Sequence, residues 1–147
     1  MALATPAGIT FLDSGGAHSI YAFEGLVNNH VYTLGAGNGQ SMAGTLGGIS
    51  RLQDGTVQQN FTVANSGLKH NWITAMIPAG GDWLVGTYGA GVQRLSANGQ
   101  ITATDASGQG IIVNPIAMAS DGHQVVAGTL GRGLLVGTAE VSIEVLP

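Results

Sequence analysis

The chain's 147 residues suffice for one domain with a core of its own, and the absence of cysteine removes zinc-thiolate, iron-sulfur and thiol-nucleophile chemistry. Charged residues make up 8% of the chain, against about 25% in an ordinary soluble domain, so the surface is polar without being charged. The net charge of −4, with Arg51, Arg94, Arg132 and Lys69 spread along the chain, offers phosphates no basic stripe and argues against nucleic acid as a partner.

Read in chain order, MALATPAGITFL (1–12) lacks the basic start and long apolar middle of a signal peptide, and it reads as strand, turn, strand. The alternating run HSIYAF (18–23) predicts another strand, and HVYTLGAG (30–37) one more. The pattern then returns in SMAGTLGGISRL (41–52), TVQQNFTV (56–63) and WITAMIPAG (72–80). It returns again in DWLVGTYGAGVQRL (82–95), QITATD (100–105) and PIAMASDG (115–122), and last in QVVAGTLGRGLLV (124–136) and VSIEVL (141–146). Two-residue alternation, turn residues about every 8 to 12 positions and no helical periodicity predict an all-β chain. No run approaches the roughly 18 apolar residues of a membrane span, so no membrane association is expected.

The Gly-Thr pairs at 44–45, 86–87 and 128–129 lie 42 residues apart. A phosphate-cradling loop should occur once and open a helix, whereas this turn occurs three times and leads into another short apolar run, so it reads as a strand reversal. With strands lettered a to d, the chain reads bcd, abcd, abcd, abcd. Four strands in about 42 residues match a β-propeller blade, and the chain supplies roughly 3.75 of them. The expected organisation is a single domain, 1–147, with blades at 1–27, 28–69, 70–112 and 113–147. A blade cannot bury both faces by itself, so stability must come from blade-on-blade packing.

The linkers GLVNNHV (25–31), GLKHNWI (67–73) and GIIVNPI (110–116) share the pattern Gly-apolar-x-x-Asn-x-apolar. Together with strand pairs of the WLVGTYGAGVQRL type, they resemble the two-component regulator propeller repeat, found in extracellular sensor regions of bacterial regulatory proteins. Trp83 departs from the pattern, having no counterpart at Ser41 or Val125, and GLLVGTAE (133–140) loses the Arg-Leu ending. The resemblance implies a bacterial periplasmic or extracellular setting and rings of many more blades than four. Open edges and bare faces favour association, so self-association is expected, with two chains completing one ring. A compact four-bladed monomer is the alternative.

Asn29, Asn71 and Asn114 are assigned to one repeat column and read as amides that bond their own turns. Thr45, Thr87 and Thr129 read as hydroxyls tying adjacent strands or blades. His18, His30, His70 and His123 show no metal-ligand spacing and form no column, and no cofactor is expected. The serines lack a nucleophile-elbow context. Asp54, Asp82, Asp105 and Asp121 read as turn formers. In blade topology the d-to-a and b-to-c connections share one rim. That rim gathers His30, Lys69, His70, Trp72, Tyr88 and Arg132 with Asn28, Asn29 and Asn71, a set suited to a sugar or small polar ligand. The favoured reading is a non-enzymatic binding module. The alternatives are a lectin-like propeller, a fragment or engineered assembly with no native ligand, and a propeller lyase or glycosidase using Lys69, His70 and Arg132.

Overall fold

The computed structural model describes residues 1–37, 39–138 and 143–146, the last four through their backbone. Among these residues all regular structure is β apart from one 3-10 turn. The first sheet holds β1 (Ala2–Thr5), β2 (Gly8–Asp13) and β3 (Gly16–Ile20). The second holds β4 (Val31–Gly37), β5 (Gln40–Thr45), β6 (Gly48–Gln53) and β7 (Thr56–Phe61). The third is β8 (Ile73–Ala79), β9 (Asp82–Thr87), β10 (Gly91–Leu95) and β11 (Ile101–Ser107). The fourth is β12 (Val113–Ser120), β13 (Gln124–Thr129), β14 (Leu134–Thr138) and β15 (Ile143–Leu146). Each sheet is an antiparallel meander in sequence order.

The sheets stack in succession: β1 packs on β4, β4 on β8, and β8 on β12. No comparable packing joins the first sheet to the fourth among the described residues. The core accordingly divides into three layers between neighbouring sheets. Ile9, Ile20, Val31, Ala43 and Leu52 fill the first. Met42, Ile49, Phe61, Ile73, Trp83 and Leu95 fill the second, and Leu84, Val92, Val113, Val125 and Leu135 the third. Burying each large aliphatic side chain contributes about 1.5–3 kcal/mol, and in every layer both sheets supply the apolar surface. This is the blade arrangement of a β-propeller.

Small residues on the second strands let the inner strands converge. A Cβ built at Gly44 would lie 2.6 Å from Cγ2 of Ile73, and one at Gly86 would lie 2.7 Å from Cγ1 of Val113. Each inner strand therefore packs directly on the backbone of the preceding sheet. The ring of Trp83 lies against Gly35 and Gly37 of β4 in the same way, so the indole fits only where the facing strand has no side chains.

The repeated Gly-Thr turns do reverse the chain. The hydroxyls of Thr45, Thr87 and Thr129 donate to the carbonyls of Gly48, Gly91 and Gly133 at 2.9, 2.9 and 2.7 Å. The Thr45 and Thr87 hydroxyls also accept the N–H groups of Gly47 and Ala90. Thr5 closes the first sheet's turn identically. These threonines tie strands within a blade, not blade to blade. Gly91, at φ +68, takes a left-handed conformation that a side chain would strain.

Several sequence expectations are corrected. The HSIYAF strand stops at Ile20, and Ala22–Glu24 form the 3-10 turn, with Glu24 accepting the Tyr21 N–H at 2.9 Å. Asp105 lies inside β11, not in a turn. The fourth sheet's inner strand begins at Val113 instead of Pro115: Val113 pairs with Thr129 just as Val31 pairs with Thr45 and Ile73 with Thr87. Asn114 is therefore no counterpart of Asn29 and Asn71; Ile111 is. Within VSIEVL the strand covers Ile143–Leu146, while residues 141 and 142, and residues 139 and 140 of GLLVGTAE, lie outside the described residues.

Trp83→Ala should lower stability by about 3–5 kcal/mol, as for other buried aromatic truncations, since Trp83 is 2% exposed. Urea unfolding measures this, and Trp83→Phe should recover much of the loss.

Candidate functional site

Asparagines pin the linkers that enter the inner strands. Oδ1 of Asn29 accepts the Ala22 N–H at 2.6 Å, and Oδ1 of Asn71 accepts the Val63 N–H at 2.8 Å. One residue earlier, Asn28 Oδ1 accepts the His30 N–H at 2.8 Å and His70 Nδ1 accepts the Trp72 N–H at 3.1 Å. Both columns hold linker backbone.

The next link joins linker to turn. The carbonyls of His30, Trp72 and Ile112 accept the N–H groups of Leu46, Tyr88 and Leu130 at 3.0, 3.0 and 2.9 Å. The turn between second and third strands is thereby fastened to the linker of its own sheet, which places these residues on one rim. It also shows that Ile112, not Pro115, follows His30 and Trp72 in the repeat.

On this rim four rings form a ladder across the second and third sheets. His30 stacks near Tyr32, with centroids 6.3 Å apart, and Tyr32 meets Trp72 at 5.5 Å and a tilt of 44°. Trp72 stacks on Tyr88 at 4.0 Å and 16°. Such pairs contribute about 0.5–1.5 kcal/mol beyond their buried area. Trp72 is thus covered on one face by Tyr88 and approached by Tyr32, while its indole N–H is buried without a hydrogen-bond partner. His30 is exposed, and Tyr88 is half-buried at the end of the ladder.

Tyr32 is the member that sequence reasoning missed. It occupies a bulge, where the β4–β5 register shifts between Val31 and Thr33. Thr74 and Asn114 likewise follow the strand-opening residues of β8 and β12 where the register shifts, the β12 irregularity extending to Met118. A polar residue directly after the first apolar residue of all three inner strands was the available signal.

The cations stand apart from the ladder. The Lys69 N–H donates to Gln93 Oε1 at 2.8 Å, and Gln93 Nε2 donates to the Gly67 carbonyl at 3.1 Å, so buried Gln93 locks the linker while the Lys69 side chain is exposed. His70 packs over Gly89, with Cδ2 3.0 Å from a Cβ built there. Arg132 is exposed in the β13–β14 turn. No hydrogen bond, ion pair or ring contact links Lys69, His70 and Arg132 to one another. At the opposite end of the fourth sheet the Asp121 carboxyl is held below its ordinary range by the N–H groups of Gln124 and His123. Among the described residues no three His, Asp or Glu gather as a metal site.

The fold and rim together define a β-propeller arc with a composite aromatic edge. No family model and no curated protein sequence matches the chain. Among solved structures it is similar to the extracellular domain of BT3049, a hybrid two-component system of B. thetaiotaomicron, at 20% identity and a TM-score of 0.77, covering 99% of this chain and 21% of that one. The extracellular domain of BT4673 from the same organism matches at 20% identity and a TM-score of 0.71, covering 98% of this chain and 20% of that one. The computationally designed Ika8 protein matches at 15% identity and a TM-score of 0.67, covering 95% and 42%. At these identities the likeness establishes the fold. The chain spans about a fifth of the length of these two extracellular domains.

In a Trp83→Phe background, which leaves Trp72 as the only indole, Tyr88→Ala should red-shift the fluorescence emission by wetting the uncovered ring face. It should also cost about 0.5–1.5 kcal/mol of stability. An unchanged emission maximum would show that the two rings do not stack in solution.

Proposed function

We propose that the chain is a non-enzymatic propeller module of the sensor-region type, acting at the periplasm or cell exterior, which binds a small polar or sugar-like ligand at the His30–Tyr32–Trp72–Tyr88 rim. The ladder carries this reading. It offers ring surface at both ends, at exposed His30 and half-buried Tyr88, on which a sugar-like ligand can stack. His70 lies in the same linker and accepts the Trp72 N–H. The similarity to extracellular domains described as parts of hybrid two-component systems supports the setting and the sensing role.

A lectin with one equivalent site per blade would need the same residues in each repeat. The columns instead read His30, Trp72, Ile112 and Leu46, Tyr88, Leu130, so the chemistry is confined to the second and third sheets. Catalysis by Lys69, His70 and Arg132 would need those groups to converge, and nothing links them.

The test is titration with a panel of neutral mono- and oligosaccharides and small polar metabolites, followed by Trp72 fluorescence and amide chemical shifts. A saturable response is expected, weakened at least about tenfold, or 1.4 kcal/mol, by Tyr88→Ala and His30→Ala, with the ligand recovered chemically unchanged. Turnover of the ligand, or binding unaffected by both substitutions, would contradict the proposal.

A further inference from the structure

The outer face of the fourth sheet repeats, position by position, the faces that are buried between sheets elsewhere in the chain. Gly44 pairs with Ile49, Gly86 with Val92 and Gly128 with Leu134. Thr33 pairs with Gly44 and Ala75 with Gly86, and Ala117 lies 3.3 Å from a Cβ built at Gly128. In the second and third sheets these positions are sealed by the next sheet: Ile49 and Val92 are 0% exposed. In the fourth, the equivalent Leu134 is 52% exposed and Val126 38%. Arg51 and Arg94, which border the buried faces, have Val136 as their counterpart, so across β12, β13 and β14 this face is apolar at Ala117, Ala119, Val126, Leu134 and Val136, with Glu144 of β15 paired to Val136 at its outer edge.

The first sheet shows the complementary defect. Leu3 occupies the place of Val85 and Ala127, both 0% exposed where they receive the preceding sheet, yet Leu3 is 43% exposed. Met1 and Leu12 share that outward face with Leu3, since Met1 and Leu12 exchange backbone hydrogen bonds beside the Leu3–Thr10 pair.

We infer that two copies of this chain associate head to tail, the fourth sheet of one docking its outer face on the outer face of the partner's first sheet. The contact continues the packing that already joins the first sheet to the second, the second to the third and the third to the fourth. Because it pairs two different faces, each dimer has two such junctions when it closes, and the ring then counts eight sheets. A cleft of about 270 Å3 lined by Ile9, Phe11 and Leu34 lies between the first and second sheets.

Light scattering on a sizing column, with variants of each face, tests this. The wild-type chain is expected at twice its 14.8 kDa mass. Val126→Asp/Leu134→Asp and Leu3→Asp, all at exposed positions and checked for unchanged urea midpoints, should each elute as monomers. Mixed together they should give a two-chain species, because one intact face remains on each. A wild-type monomer at every concentration reached would overturn the inference. So would either variant associating as the wild type does, which would mean that its altered face is not in the contact, or a mixture that stays monomeric.

Discussion

Each sheet of this chain is apolar on both faces, and no antiparallel sheet is stable with both faces wet. The structure depends on how that constraint is met: a sheet is completed only by the sheets that flank it, through three core layers of alternating ownership. The layers are thin at their inner edge because Gly44 and Gly86 present bare backbone to Ile73 and Val113. Larger side chains, Leu95 on the third strand and Phe61 on the fourth, fill them further out. A wedge-shaped layer of this kind forces successive sheets to fan about an axis, and that fan is the propeller.

The rim follows from the same convergence. Once the inner strands β4 and β8 approach closely, the linkers that feed them and the turns beside them are drawn to one end, and carbonyl bonds from His30 and Trp72 hold the turns there. The bulge at Tyr32 turns an otherwise strand-like residue toward Trp72. Two sheets thus build one aromatic edge, which neither repeat carries alone. The fourth sheet keeps the backbone arrangement through Ile112 and Leu130 but has no rings to add.

The fold was legible because its determinants are local and recur. Gly-Thr at 42-residue intervals marks a turn whose threonine hydroxyl closes on the chain three or four residues later, and alternation on each side marks the hairpin. What failed was register. The linker before β12 was aligned on Asn114, but the β12 bulge, between Val113 and Met118, is longer than those after Val31 and Ile73, so the true counterparts are Ile111 and Ile112. Apolar alternation carried HSIYAF past Ile20, where Glu24 captures the Tyr21 N–H and bends the chain instead. Of the rim candidates, His30, Trp72 and Tyr88 do meet through ring contacts, whereas Arg132 joins no ladder. Tyr32 escaped notice because a bulge reverses the side that alternation assigns to a residue.

The most direct test of blade-on-blade packing is the proton NMR of Gly35. With the Trp83 ring of the third sheet lying against Gly35 in the second, the Gly35 Hα resonances should be shifted strongly upfield. They should also show nuclear Overhauser contacts to the indole, and the shift should vanish in Trp83→Leu. Gly35 Hα resonances at ordinary positions, with no contact to Trp83, would mean that these sheets do not stack in the order described.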